Sequence, residues 1–221
     1  MESIFLGNNQ LEAVDDNLFQ NLPNITTVSL SNNQLSRCGN LFTGCAHLIA
    51  IILSDNQLAE LEPHLFHNLP TLKIVDLKNN QLGYIAPNFF ANTNNIEILD
   101  LSDNRLETLD EAVLSACVHL KLIYLRRNRI KALGQHIFSK LVGLEKIDLS
   151  ENQLESVDQL FDGLSQLKLL YLTDNKLSRI GHDLFKDNQL LDRVSLTNNP
   201  LVSFDPNSLK GMSKGVEVVY V

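Results

Sequence analysis

The most regular feature of the chain is an alternation of leucines and polar residues that returns every 23 or 24 positions. In each repeat an aliphatic residue is followed two positions later by a leucine, and three positions after that by an asparagine, as in "IVDLKNNQL" (74–82). Nine registered copies make this period the organising unit of the chain. The asparagines, called framework asparagines below, are Asn9, Asn33, Asn56, Asn80, Asn104, Asn128, Asn152, Asn175 and Asn199.

The alternation in each repeat predicts one short strand with one buried face. Because all the strands run in the same direction, the repeats predict a parallel sheet stacked into a curved solenoid, with the sheet lining the inner surface. The framework asparagine lies where the chain leaves the strand, and its amide can pair with turn backbone groups that would otherwise be buried without partners. A later aromatic position predicts a column of rings behind the sheet, formed by Phe19, Phe42, Phe66, Phe90, Phe138, Phe161 and Phe185.

Written out, the unit is LxxLxLxxNxLxxLxxxxFxxLxx, and "LFHNLPTLKIVDLKNNQL" (65–82) is one copy. This unit resembles the 24-residue "typical" class of leucine-rich repeats. Its sequence pattern is similar to that of insect Toll-like ectodomains and mosquito leucine-rich immune proteins. The resemblance implies an α/β solenoid: a horseshoe with a parallel sheet on its concave face and irregular or 3-10 turns on its convex face. It also implies a non-enzymatic, secreted or receptor-type scaffold for innate immune recognition. Two alternatives remain, an intracellular adaptor or effector module and an end-to-end dimerisation module.

Composition narrows the class of partner. The chain has 221 residues, 18 basic and 26 acidic, for a net charge of -8. This balance argues against a nucleic-acid ligand, which usually selects a basic face. No apolar run approaches the length of a bilayer span, so we expect no membrane insertion. We therefore expect the partner to be a protein bound on the concave face.

Motifs for catalysis, cofactors or metals are absent from the sequence. It contains no Gly-rich phosphate loop, no GxSxG and no HExxH, so we expect no enzyme activity and no cofactor. His64 and His67 have helical ligand spacing, but no carboxylate or cysteine completes a metal site, and surface histidines are the better interpretation. Cys38, Cys45 and Cys117 occupy positions that other repeats fill with aliphatic residues. We favour free buried thiols, while a pairing of Cys38 with Cys45 within one coil remains open.

The exposed strand positions vary most between repeats, and they form the candidate binding surface. Residues between the framework leucines point away from the core onto the concave sheet. Several are apolar in neighbouring repeats, where strand propensity alone is the competing explanation. A contiguous exposed apolar patch usually marks a partner site, and tyrosine is frequent in binding hot spots. The predicted patch consists of Ile52, Ile74, Ile98, Leu122 and Tyr124, extended by Leu169 and Tyr171.

Three arginines stand beside this patch in "YLRRNRIKAL" (124–133). Arg126, Arg127 and Arg129 take variable positions where other repeats carry mostly Ser, Asn, Asp or Gln. One interpretation is an anchor for an acidic partner. The other is a charge ladder, because Asp103, Arg127 and Glu151 occupy one position of three consecutive repeats and alternate in sign. Such a ladder contributes little stability at a wet surface.

The ends suggest a single domain over residues 1–221 that is a fragment of a longer chain, since neither terminus carries a capping repeat. "GVEVVYV" (215–221) reads as a last strand with an uncovered edge, which predicts possible self-association. The first residues, "MESIFLG", lack the basic and apolar regions of a secretory leader, and one glycosylation sequon occurs, at Asn24. We expect an extracellular location, with the cytoplasm as the alternative.

Overall fold

A computed structural model of the chain describes residues 2–209 and 217–219. The elements of the described residues are β1 (Glu2–Phe5), β2 (Ile25–Ser29), β3 (Ala50–Ile52), β4 (Ile74–Asp76), β5 (Ile98–Asp100), α1 (Glu111–Leu114), β6 (Leu122–Tyr124), β7 (Lys146–Asp148), β8 (Leu169–Tyr171), β9 (Arg179–Ile180), β10 (Arg193–Ser195), β11 (Ser203–Phe204), a 3-10 helix (Pro206–Leu209) and β12 (Glu217–Val219).

One parallel sheet holds ten of these strands in the order β1-β2-β3-β4-β5-β6-β7-β8-β10-β12. Each strand pairs with the equivalent strand of the next repeat, so the chain advances by one coil per repeat. A separate two-stranded pair, β9 and β11, joins later segments of two successive coils. The convex side consists mainly of turns, with α1 and the 3-10 helix as short exceptions. The predicted horseshoe with its parallel sheet is confirmed.

The core is filled by the framework aliphatic residues, as the alternation predicts. Val75 at the centre of β4 and Leu77 after it are fully buried, as are their equivalents in most coils. Burial of each such side chain contributes roughly 1.5–3 kcal/mol of transfer free energy. Because every coil repeats this burial, the core is one continuous cluster along the solenoid.

The framework asparagines form a ladder of buried hydrogen bonds. The Asn104 side chain donates from Nδ2 to the carbonyl of Leu101 in its own coil, at 3.1 Å, and to that of Leu77 in the preceding coil, at 3.0 Å. Its Oδ1 accepts the backbone N–H of Leu82 at 3.0 Å. The equivalent three bonds occur at every framework asparagine from Asn33 to Asn199. The predicted role of this position is therefore confirmed.

The phenylalanine column stacks behind the sheet. The Phe19 and Phe42 rings are 6.1 Å apart and almost parallel, at 5°, and Phe66 and Phe90 continue the stack with centroids 6.0 Å apart. Leu114, at the end of α1, occupies the next position and is fully buried. The aromatic column is thus interrupted at the coil of Leu114, while the hydrophobic packing continues there.

Candidate functional site

Two columns of side chains cover the exposed face of the sheet, on either side of a buried central column. Register between the strands fixes which residues are neighbours. The first column runs Ala50, Ile74, Ile98, Leu122, Lys146, Leu169 and Arg193. The second column runs Ser29, Ile52, Asp76, Asp100, Tyr124, Asp148, Tyr171 and Ser195.

The first column contains an aliphatic strip, by which we mean Ile74, Ile98 and Leu122. These residues are direct register partners on β4, β5 and β6, and each is half-buried. Ile52 lies in the other column, one strand before the strip. The solvated face of a sheet usually carries polar residues. Three adjacent aliphatic side chains are therefore unusual there, and they form the apolar centre of this surface.

Lys146 joins the apolar patch instead of dividing it. Its Nζ lies 4.7 Å from the ring centroid of Tyr124 and 5.2 Å from that of Tyr171, close enough for cation–π attraction to both. In the structure it connects the two tyrosines across β6, β7 and β8, and these three residues are called the tyrosine–lysine cluster below.

Three aspartates of the second column make the same turn contact. Oδ1 of Asp76, Asp100 and Asp148 accepts the backbone N–H two residues later, at 3.0, 2.8 and 3.0 Å. Such a bond fixes the exit from the strand. The pKa of Asp100 is raised, first because the carboxyl is desolvated by burial and then because the charge of Asp76 is close.

The predicted charge ladder is present along the edge where the strands end. Arg127 lies between Asp103 and Glu151, with N–O distances of 3.6 and 2.7 Å. Arg126 Nε also donates to Glu151 Oε1 at 2.8 Å, and these bonds lower the pKa of Glu151, with that from Arg127 as the largest cause. Arg129 is exposed, and no carboxylate of the described residues lies within 4.0 Å of its guanidinium. The geometry thus supports the ladder for two arginines, and the acidic-partner anchor stays a prediction for all three.

The ladder position has a backbone requirement that the sequence analysis missed. The residue before every framework asparagine adopts a left-handed conformation, with φ from 50° to 58°. This region favours Gly, Asn and Asp, since other side chains clash with the following carbonyl. Seven of the nine positions are Asn or Asp, and Arg127 and Glu151 are the two exceptions. The fold therefore does constrain this position, contrary to the view that it varies freely.

A second charge ladder runs along the opposite edge, where the strands begin. Glu97 binds Lys73 and Lys121 of the two adjacent coils, at 2.7 Å each, and Glu145 binds Lys168 at 2.7 Å. The side-chain hydrogen bond from Lys121 is the largest of the effects that lower the pKa of Glu97 to about 2. The concave surface is thus an apolar and tyrosine-bearing centre between two alternating charged borders.

The structure also places the predicted glycosylation site, the three cysteines and part of the predicted last strand. Asn24 is exposed in the turn before β2. Cys38, Cys45 and Cys117 are buried and free, which confirms the favoured interpretation. Glu217–Val219 of the predicted last strand form β12, while Gly215, Val216, Tyr220 and Val221 lie outside the described residues. Self-association through that strand stays a prediction.

The described residues contain neither a helix that could span a membrane nor a cluster that could hold a metal ion. No helix there has both the length and the apolar character needed to cross a bilayer. Within residues 2–209 and 217–219, no three His, Cys, Asp or Glu side chains are grouped so that they could hold a metal ion.

A solenoid of near-identical coils with a variable exposed sheet defines a repeat scaffold of the protein-binding type. The profile of the family described as "Leucine rich repeat" matches residues 1–58, 37–82, 70–130, 118–177 and 165–214. The chain belongs to the leucine-rich repeat family. No curated protein sequence matches the chain significantly.

Solved structures show the same fold. An LRR protein of Leptospira interrogans superposes with a TM-score of 0.86 at 26% identity, over 98% of this chain and 53% of that one. TLR13, in its complex with ssRNA13, gives 0.84 at 26%, over 96% of this chain and 31% of that one. Drosophila Toll, in its complex with Spatzle, gives 0.78 at 24%, over 96% and 32%. The chain therefore spans about half or less of each neighbour's length.

Proposed function

We propose that this chain is a non-catalytic scaffold that binds a protein ligand on its concave sheet, in extracellular or innate immune recognition. One observation carries the proposal: the half-buried aliphatic strip lies in direct register on the concave face, beside the tyrosine–lysine cluster. Apolar and tyrosine side chains grouped on a rigid surface are the usual energetic centre of a protein interface. The proposed binding residues are Ile52, Ile74, Ile98, Leu122, Tyr124, Arg126, Arg127, Arg129, Leu169 and Tyr171.

A nucleic-acid ligand fits this surface less well. The solved TLR13 neighbour is in complex with ssRNA13. In this chain the second column presents Asp76, Asp100 and Asp148 to the concave space, and the net charge is -8. A polyanion would meet repulsion where phosphate binders need clustered cations. Charge therefore favours a protein ligand.

The test uses paired variants. Leu122→Ala combined with Tyr124→Ala removes the centre of the surface without touching a buried framework residue. The matched control is Tyr84→Ala, which removes a more exposed aromatic ring outside the strands. We expect the ligand captured from the native source by the parent chain to lose at least about ten-fold in affinity with the double variant, and to bind the control normally. Unchanged binding, or capture of single-stranded RNA in place of a protein, would contradict the proposal.

The second part of the proposal concerns the cellular compartment in which the protein works. The exposed Asn24 lies in an Asn-Ile-Thr sequon, and we propose that it carries a glycan in a secreted or ectodomain setting. The second candidate, an intracellular adaptor or effector, is favoured by the three free buried thiols. Mass spectrometry of the protein from its native source separates the two: a glycan on Asn24 supports the first, and an unmodified Asn24 supports the second.

A further inference from the structure

The aliphatic strip lies beside two aspartates that make no salt bridge with the described residues, although the charge of Lys78 acts on Asp100 from a greater distance. Asp76 and Asp100 are register partners at the ends of β4 and β5, so their Cα atoms are about 4.8 Å apart. Both side chains are half-buried, and we call them the acid pair. Like charges directly opposite each other on a sheet are destabilising.

The two lysines that flank β4 in sequence form ion pairs with other carboxylates. Lys73 binds Glu97 at 2.7 Å, and Lys78 lies 3.9 Å from Asp103. Among the described residues no Lys, Arg or His nitrogen lies within 4.0 Å of either carboxylate of the pair. Both bordering ladders are thus paired within themselves, while the acid pair inside them is not.

The fold does not require negative charge at these positions. Each carboxylate fixes its turn by accepting one backbone N–H, from Lys78 and Ser102. An asparagine Oδ1 can accept the same bond. Serine stands at the equivalent position in β2 and β10. The charge of the pair is therefore left without a structural explanation.

We propose that the aliphatic strip and the acid pair form one subsite that takes an arginine or lysine side chain of the ligand. This inference rests on the proposed function and specifies its ligand. Ile74 and Ile98 stand on the same strands as the two aspartates and support the methylene stem. The cationic head then reaches both carboxylates, and a planar guanidinium with several donors suits two acceptors one strand apart. In the second column, Ile52 and Tyr124 flank the acid pair on its two sides.

The experiment uses a defined probe. The blocked tripeptide Leu-Arg-Leu is titrated into the whole chain while the side-chain carboxyl signals of aspartate are followed by NMR. The same peptide with citrulline in place of arginine keeps the shape and removes the charge. We expect saturable shifts at Asp76 and Asp100 with the arginine peptide, and binding at least about ten-fold weaker with citrulline.

Variants localise the effect. Asp76→Asn with Asp100→Asn removes the charge and keeps the turn acceptors, and it should weaken peptide binding at least about ten-fold. Asp148→Asn is the matched control, because its carboxylate makes the same turn bond but lies between two tyrosines; its binding should stay within about two-fold. Equal binding of the two peptides, or undiminished binding by the double variant, would overturn the inference.

The same variants separate this inference from the proposed function. If the native ligand is lost with Leu122→Ala and Tyr124→Ala but kept by the acid-pair double variant, the concave binding surface stands and the basic-side-chain subsite is wrong. If the arginine peptide binds at the acid pair while the native ligand ignores every concave variant, the subsite is real but the proposed function is wrong.

Discussion

Arg127 and Glu151 contact each other across two adjacent coils, with Nε and Oε2 2.7 Å apart, and both have a left-handed backbone, at φ of 53° and 54°. The left-handed conformation favours neither residue type. Their side chains therefore stabilise each other in positions where the backbone would favour asparagine or aspartate. The free energy gained from the ion pair therefore opposes the free energy that the left-handed backbone costs at each of the two residues.

The first prediction is that Arg127→Asn stabilises the chain. An amide at this position suits the left-handed backbone, and it can donate to Asp103 as Asn79 donates to Asp55 at 2.7 Å. The exposed ion pairs that are lost contribute little. We expect the melting temperature to rise by about 2 °C, measured by thermal unfolding. Arg126→Asn, which loses an ion pair from a position without left-handed geometry, is the control and should show no rise. A fall in the melting temperature with Arg127→Asn would mean that the ladder outweighs the backbone preference.

The second prediction concerns the asparagine ladder. Asn104→Ala leaves the buried N–H of Leu82 without its side-chain partner. It also removes one of two amide bonds to the carbonyls of Leu77 and Leu101, which keep those from Asn80 and Asn128. The orphaned N–H costs about 1–3 kcal/mol and each of the two lost bonds about 1 kcal/mol, so we expect a loss of about 3 kcal/mol in the free energy of unfolding.

Its matched control is Asn9→Ala. Asn9 is exposed, and among the described residues its amide donates only to the carbonyls of Leu6 and Gly7. We expect a loss below about 1 kcal/mol in denaturant unfolding, because water can replace these bonds. Similar losses for the two variants would show that the ladder bonds do not carry the effect.

The framework of this fold could be predicted from the sequence because its period is visible in the residue types themselves. A framework leucine and a framework asparagine recur in every coil, and each asparagine from Asn33 to Asn199 makes the same three bonds as Asn104. The predicted sheet, aromatic column and asparagine role follow from that recurrence alone. In each coil these features depend on the packing of buried residues and not on the surface residues of neighbouring coils.

The candidate site was less predictable, because its contacts join side chains of different coils. The position of Lys146 over two tyrosine rings depends on rotamers that no periodic pattern specifies. The second ladder did leave a signal: the residues just before the strands alternate in sign, as Lys73, Glu97, Lys121, Glu145 and Lys168. The left-handed position also left one, in its seven Asn or Asp residues. Both signals require the repeats to be compared position by position outside the aliphatic framework.

The third prediction is an acid dependence centred on Glu97. Its pKa is lowered from 4.5 to about 2, with hydrogen bonds from Lys121 and Lys73 as the main causes. A carboxyl whose pKa is lower in the folded state stabilises the fold above its unfolded pKa, and this contribution is lost as the pH falls through the folded value. We therefore expect the contribution of Glu97 to be complete above about pH 4.5 and to disappear towards pH 2.

Glu97→Gln tests this sign. In urea unfolding at a series of pH values, the variant should differ from the parent chain at neutral pH and converge with it near pH 2. Glu107→Gln is the control, since no cation of the described residues lies within 4.0 Å of its carboxylate. A difference between Glu97→Gln and the parent that grows on acidification would contradict the assignment.

The fourth prediction is that the three cysteines are inert in the folded chain. Cys38 and Cys117 have their pKa raised to about 12, in both cases chiefly by burial, and burial raises the pKa of Cys45 as well. Since the thiolate is the reactive form, alkylation at pH 8 should be negligible until the chain unfolds. Intact-mass measurement after iodoacetamide should show no adduct on the native chain and three on the denatured chain.

Ser178→Cys places a thiol at an exposed position and serves as the positive control, with one adduct expected under native conditions. A native chain that remains unmodified but has lost two hydrogens in mass, and that yields a single adduct when denatured without reductant, would instead mean that Cys38 and Cys45 pair. Burial and the raised pKa values would then describe only the reduced form.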